Sequence, residues 1–312
     1  MCDEPTPAAA ADQEAPAEAA LESAQPPEDQ TPDAPPEEPL PGDFTTGDPV
    51  LFIDEKDRQT MLLVPLPLES VNLKGENYTG AQLCALHDGE LLITRRRKRF
   101  LVFRPTLRDI IMNMPREAQV IYPKDLGMLL TWADIAPGQT VVEIGTGHGA
   151  LTMALLRVLG PTGRLVSFDI RQDHLNRTKK NIAQYLGEAA LETWTPILAD
   201  PVTEEVEAPP ADRLISDMPE PWTLLATVAR LLKPGGVWAS WLPTVLQLAN
   251  LVESIKKDPG FCLPECFETL QRFWQVNPPS VRPTHDMKAH TGFLITCRRR
   301  WRRETAPEEL PA

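Results

Sequence analysis

From Thr140 onward the apolar positions switch repeatedly between two periods. In "TVVEIGTGHGALTMALLRVLG", Thr140, Val141 and Val142 form a β-branched run, a glycine-rich stretch follows, and Leu151, Leu155, Leu156 and Leu159 recur at helical spacing. This predicts strand, loop, helix. "GRLVSFDI" predicts a second strand ending in Asp169, and "QDHLNRTKKNIAQYLG" a second helix. "TPILAD" and "DRLISD" predict two more strands, each closing on an aspartate, and "LLKPGGVWASWLPT" a Pro-Gly-Gly turn with a fifth strand. Strands alternating with helices predict an α/β class fold over residues 106–303, a Rossmann-like parallel sheet with helices on both faces. Acids at the carboxyl ends of such strands stand where open α/β sheets bind ligands. Upstream, "GDPVLFIDEKDRQTMLLVPL" sets two β-rich runs around the charged turn Asp54–Asp57, a predicted hairpin, and a small N-terminal β domain is expected over residues 47–105.

Composition sharpens this picture at the ends of the chain. The 312 residues, 42% apolar, suffice for a sizeable core. The formal charge is −13, but residues 1–46 carry twelve Asp and Glu and no Lys or Arg, so the remainder stands at −13 + 12 = −1. That near-neutral remainder contains two dense basic runs, "RRRKR" at 95–99 and "RRRWRR" at 298–303. Residues 1–46 also hold ten of the 33 prolines and almost no large apolar side chains, a composition expected to stay disordered; residues 304–312 read as a short tail. Five scattered cysteines, Cys2, Cys84, Cys262, Cys266 and Cys297, fit a reducing cytosol, and the one close pair lacks partners at metal-ligand spacing, so no metal site is expected. No apolar run reaches the length of a membrane span, and an acidic start without arginine argues against a signal peptide or presequence, leaving a cytoplasmic expectation.

The glycines decide the ligand class. Gly145, Gly147 and Gly149 alternate after Glu143, whereas a dinucleotide fingerprint places its third glycine three residues after the second, and a P-loop requires Gly-Lys-Ser/Thr. The pattern resembles motif I of class I S-adenosylmethionine (AdoMet) methyltransferases. That resemblance implies glycines that admit the methionine part of AdoMet, Asp169 accepting both ribose hydroxyls, and Asp200 meeting the adenine amino group. It assigns cofactor binding to Gln119, Glu143, Gly145, Gly147, Gly149, Ala150, Leu151, Asp169, Asp200 and Asp217.

A second resemblance covers residues from about Gly47 to Arg300. "AQVIYPKD" at 118–125, "DMPEPW" at 217–222 and "HTGFL" at 290–294 are similar to the bacterial-type tRNA (adenine-N1) methyltransferases that modify T-loop adenosine 58. One stretch departs: "ESVNLKGENYTG" stands where the family carries a histidine. The resemblance implies a tRNA substrate, a homotetramer if bacterial, and three acceptor-side residues. Asp217 would accept a hydrogen bond from the target's exocyclic amine and stabilise the ring as it turns cationic; capping the helix from Trp222 is its alternative role. Tyr122 would stack on target or cofactor, with core packing the alternative, and His290 would line the acceptor pocket unless it is a core histidine. His148 is given no role. The basic runs read either as tRNA phosphate contacts or as a solvated face. Two other functions fit the same glycine loop: a small-molecule or protein methyltransferase, and a non-catalytic tRNA-binding subunit.

Overall fold

The structure is a computed structural model that describes residues 42–114 and 120–301, all within one compact unit, Pro41–Ala312. The chain opens with β1 (Pro49–Asp54) and β2 (Gln59–Leu63), the expected hairpin, in which Asp54 accepts the amides of Lys56 and Arg58 to close the turn. A second hairpin, β3 (Ser70–Leu73) and β4 (Glu76–Thr79), leads into the short helix α1 (Gly80–Cys84), whose capping box pairs Thr79 with Gln82. β5 (Leu91–Ile93) and β6 (Arg99–Phe103) complete a four-stranded antiparallel sheet in the order β2-β1-β6-β5. Its core holds Val50, Phe52, Leu73, Leu83, Phe100 and Val102, with Phe52 and Phe100 edge to face at 6.4 Å. Residues 42–46, assigned to the tail from composition, are built into this unit. Phe44 is buried in the same core, and Asp43 accepts the amide of Asp88 through its side chain.

Helix α2 (Leu107–Asn113) starts on a Thr106–Asp109 capping box and ties the small sheet to the rest, Asn113 donating to Gln59 at 3.0 Å. After α3 (Pro123–Trp132), the predicted alternation appears in order. It runs β7 (Thr140–Ile144), α4 (Ala150–Leu159), β8 (Arg164–Asp169), α5 (Gln172–Leu186), β9 (Trp194–Leu198), β10 (Ala211–Ser216), α6 (Leu225–Leu231), β11 (Leu232–Leu242) and α7 (Val245–Lys257). Past α7 come β12 (Phe261–Phe267), a projecting hairpin β13 (Trp274–Asn277) and β14 (Ser280–Pro283), and β15 (Phe293–Arg299).

The large sheet has seven strands in the order β12-β15-β11-β10-β7-β8-β9, with β15 antiparallel to both neighbours. β7 carries apolar residues on both faces because both are covered. Val141 packs with Leu129, Leu155 and Ile182 of α3, α4 and α5, whereas Val142 packs with Val228, Leu251 and Ile255 of α6 and α7. The chain winds outward from β7 through β8 to β9, then returns to lay β10 on the other side of β7. That reversal separates the loops after β7 and β10, and ligands of doubly wound sheets bind in the resulting crevice.

Candidate active site at the carboxyl end of the sheet

The register β7 to β10 pairs Ile144 with Ser216, so the next residues, Gly145 and Asp217, meet where the two loops diverge. The amide of Gly145 donates to Phe168 O and that of Asp217 to Ile144 O, both at 2.8 Å, so each loop leaves the sheet from a fixed point. Gly145 has φ +90°, and a Cβ there would lie 2.2 Å from the carbonyl oxygen of Asp217. Only glycine fits this approach. Gly147, also left-handed, has nothing within 4 Å of its Cβ position and faces a cleft of about 710 Å³. Gly145, Gly147, Asp169, Asp200 and Asp217 line that cleft together with Met218, Pro219, Trp241 and Pro243.

Asp169 is the hub of the glycine loop. Its Oδ2 accepts from the Thr146 amide and hydroxyl, both at 2.9 Å, from the Gly147 amide at 3.3 Å, and faces His174 Nδ1 at 3.2 Å. Among the described residues, Oδ1 accepts the Arg171 amide alone, at 2.9 Å. Burial alone would raise its pKa, but the amides of Arg171 and Thr146, the Thr146 hydroxyl and His174 outweigh it and hold Asp169 below the usual carboxylate range. Oδ2 thus already has four polar neighbours in the glycine loop and α5, whereas Oδ1 keeps an open lone pair. Asp200, on the cleft wall, accepts the Val202 amide on Oδ1 and the Thr203 hydroxyl on Oδ2.

Asp217 has no side-chain bond to the turn beginning at Pro221, whose cap position is Glu220, so the structure offers no support for a helix-capping role. Burial, and then the negative charge of Asp169, push its carboxyl up to about 7. Glu143 does not line the cleft. It is fully buried under the loop, accepting from Thr152 Oγ1 at 2.9 Å and Ser167 Oγ at 2.6 Å, and Ser167 in turn accepts from Trp194 Nε1. Burial pushes Glu143 up to about 8 despite those two hydroxyls.

Several other expected positions also fall outside the cleft. The Cβ position of Gly149 is 2.9 Å from the Thr178 methyl group, so this glycine brings α4 close to α5, and Ala150 and Leu151 are buried core residues of α4. Tyr122 caps α3 beside a separate cavity of about 510 Å³, where Lys288 donates to its hydroxyl at 2.5 Å and sits 4.4 Å above its ring. His290 is exposed and does not line the cleft. Its Nε2 lies 3.1 Å from Pro243 O and its Nδ1 3.0 Å from Glu268 Oε2, and these two bonds raise its pKa. Gln119 lies outside the described residues. Sequence reasoning missed His174, which reaches Asp169 from the first turns of α5, and Trp241. The indole of Trp241 rests on Gly292, where a Cβ would lie 2.3 Å from the ring, and its Nε1 is buried without a partner among the described residues. Trp241 stands near the carboxyl end of β11, the edge Asp217 occupies on β10, and that placement was readable.

The family profile described as "tRNA methyltransferase complex GCD14 subunit" matches residues 100–281, which span β6 to β14 and every residue lining the cleft. The chain belongs to that family. Among curated relatives, the tRNA (adenine(58)-N(1))-methyltransferase TrmI of Thermus thermophilus is 34% identical over 198 residues, 64% of this chain and 76% of the relative. The Methanocaldococcus jannaschii enzyme, which acts on adenines 57 and 58, is 27% identical over 80% of this chain and 94% of its own length. Two solved structures share this chain's fold. A SAM-dependent O-methyltransferase of Thermotoga maritima superposes with TM-score 0.78 at 26% identity, over 84% of this chain and 96% of that one. TrmI of Aquifex aeolicus does so with TM-score 0.69 at 27% identity, over 82% and 98%.

Proposed function

We propose that this chain is an AdoMet-dependent tRNA methyltransferase that methylates N1 of adenosine 58 in the T-loop. The observation that carries the reading is the meeting of Gly145 with Asp217 at the switch point, in a family whose TrmI member is 34% identical. The residues present fit AdoMet: the cleft of about 710 Å³ lies within the range of small-molecule sites, with Asp169 and open backbone at Gly147 on its wall. When bound, AdoMet supplies an electrophilic methyl group on a sulfonium.

The chain's own residues do the rest. Asp169 Oδ1 binds a ribose hydroxyl, while Oδ2 keeps the glycine loop in shape through Thr146 and Gly147. Asp217 accepts the exocyclic amine of adenine, which orients N1, and its charge opposes the positive charge the ring acquires. N1 already has an in-plane lone pair, so no base must remove a proton. Tyr122, with Lys288 at its ring and hydroxyl, belongs on the acceptor side as a surface for an extruded base. With its pKa raised by Glu268 and the Pro243 carbonyl, His290 suits a phosphate better than proton abstraction.

The reading keeps a small N-terminal β domain and a catalytic domain from about residue 106. It also takes the protein as a cytoplasmic homo-oligomer, a tetramer by resemblance. Supporting association, Phe273 just before the β13–β14 hairpin and Trp274, Val276 and Val281 on it are each more than half exposed. No helix among the described residues is long and apolar enough to cross a membrane.

The test is transfer of tritiated methyl from AdoMet to bulk tRNA, with free adenosine and protein as alternative acceptors, followed by mapping of reverse-transcription stops. A stop at nucleotide 58 is expected. Label in protein or free nucleoside, or no transfer at all, would overturn the reading.

A further inference from the structure

The two basic runs, alike in sequence, are put to opposite uses by the fold. In the second, the three described arginines that begin it bind the chain itself: Arg298 donates to Gly235 O at 3.0 Å, Arg299 to Leu232 O, and Arg300 to Pro259 O at 3.3 Å. These bonds close the bulge at Lys233–Gly236 and the turn before β12. They are structural. In the first run all five side chains, Arg95 to Arg99, are exposed at the tip of the β5–β6 hairpin, and none forms an ion pair among the described residues.

Repelling charges at a hairpin tip ordinarily loosen it, yet this tip is fixed. Glu76 of the neighbouring β3–β4 hairpin accepts the amides of Arg95 at 3.0 Å and Arg96 at 2.9 Å. Lys98 Nζ donates back to Lys74 O at 2.8 Å, and its amide binds Thr94 Oγ1 at 3.1 Å. Glu76 thus binds main-chain amides and, among the described residues, forms no ion pair with these cations. Burial opposes ionisation of Glu76, but those amides, the Thr94 hydroxyl and the Arg96 charge keep its pKa below the usual value.

The turn chemistry adds a second observation. In β5–β6 the Arg97 amide donates to Thr94 O and Arg97 has φ +58°, the left-handed position of a three-residue loop that favours glycine. In β3–β4 the turn is Lys74-Gly75, both left-handed, where Asn-Gly is the favoured pair. Both adjoining tips therefore place a cation where backbone strain of about 1 kcal/mol disfavours it. A solvated surface has no need of cations in those places; a polyanion does.

We infer that the joined tips of the β3–β4 and β5–β6 hairpins, Lys74 with Arg95, Arg96, Arg97, Lys98 and Arg99, form a preorganised anchor for RNA phosphates, outside the methyl-transfer cleft. The inference rests on tRNA being the substrate. Its partner is the sugar-phosphate backbone, bound without base readout, so the anchor adds affinity and not sequence choice.

The test compares tRNA binding of the full chain, by filter retention between 50 and 200 mM salt, with two variants: Arg95→Ala/Arg96→Ala/Arg97→Ala, and Arg298→Ala. Each lost phosphate contact lowers the slope of log K against log salt by about 1, so the triple variant is expected to lose about 2–3 from the slope and at least tenfold in affinity at 0.1 M salt. AdoMet titration checks that its cleft is intact. Arg298→Ala should keep the parent slope and melt at lower temperature. An unchanged slope in the triple variant, or an equal loss in Arg298→Ala, overturns the anchor. Retention of the triple variant's tRNA slope with loss of binding to phosphatidylserine vesicles would assign the tips to a membrane and overturn it as well. If the parent shows no salt-dependent tRNA binding, the proposed substrate fails instead, so the two failures are distinct.

Discussion

At the scale of single residues, Asp217 carries the sharpest expectation. Its carboxyl, held near 7 by burial and by Asp169, is only partly ionised in the free enzyme at neutral pH. Because the charged form is the one that stabilises a cationic ring, kcat/KM for tRNA is expected to rise with pH through about 7. Asp217→Asn should remove that inflection, keep AdoMet affinity near the parent value, and slow single-turnover methylation on the order of 100- to 1000-fold. Stability gives an independent readout. The folded state retains a proton on Asp217 that the unfolded chain releases above its ordinary 3.8, so stability declines as pH climbs from there to about 7 and is flat beyond. Melting temperatures of the Asn variant should show a shallower decline over that window. An Asn variant with parent turnover and the parent pH profile would defeat the catalytic role. Position and sign of this carboxylate were legible in "DMPEPW"; its perturbed ionisation was not, because it comes first from burial at the switch point and then from the charge of Asp169, 48 residues earlier, and both depend on the fold.

At the scale of elements, β7, the glycine loop and β8 form one unit braced from both sides by carboxylates with different tasks. Glu143, pushed up to about 8, is a neutral acid at pH 7, so an amide of the same shape replaces it closely. Glu143→Gln is expected to unfold within about 1 kcal/mol of the parent, whereas Glu143→Ala strands the buried Thr152 and Ser167 hydroxyls and should cost on the order of 2–4 kcal/mol. Denaturant unfolding of the pair measures both. Asp169→Ala acts differently, removing an acceptor in the cleft and also the bonds that hold Thr146 and Gly147. AdoMet binding should weaken by on the order of 2–4 kcal/mol, and calorimetric titration showing unchanged affinity would sink the assignment. The strands themselves were legible because β-branched runs such as Thr140–Val142 have little choice once both faces are covered. The parts of the site were less so. Gly145, Gly147 and Gly149 look equivalent in sequence, yet one touches Asp217, one opens the cleft and one admits Thr178, and that distinction depends on which neighbour the fold brings near. The bond between His174 and Asp169 arises from how α5 leaves β8, which residue spacing does not encode.

At the scale of the whole molecule, the acidic terminus opposes what the rest of the chain binds. Residues 1–41 hold eleven of the twelve carboxylates counted to residue 46, the twelfth being Asp43, and no compensating Lys or Arg. A polyanionic segment repels any phosphate that comes within a Debye length of it, about 10 Å at 0.1 M salt and about 30 Å at 0.01 M. Removing residues 1–41 is therefore expected to leave methylation intact and to tighten tRNA binding at 10–50 mM salt, the gain fading above about 0.2 M. Where the cut falls matters, because composition and structure disagree over residues 42–46. Composition reads them as tail, since Gly42 to Thr46 adjoin a proline-rich run, but Phe44 is 2% exposed in the core of the small sheet, 5.0 Å under the guanidinium of Arg104. A cut after residue 46 removes that ring along with the tail and should cost about 3–5 kcal/mol, the range for losing a buried phenylalanine. Paired truncations, compared by melting temperature and by tRNA affinity at two salt concentrations, separate the two effects. The shorter cut should change affinity alone, and the longer cut should also lower the melting temperature. Equal melting temperatures would show that Phe44 contributes nothing to the small core, and weaker tRNA binding after the shorter cut would show that the acidic segment assists the substrate.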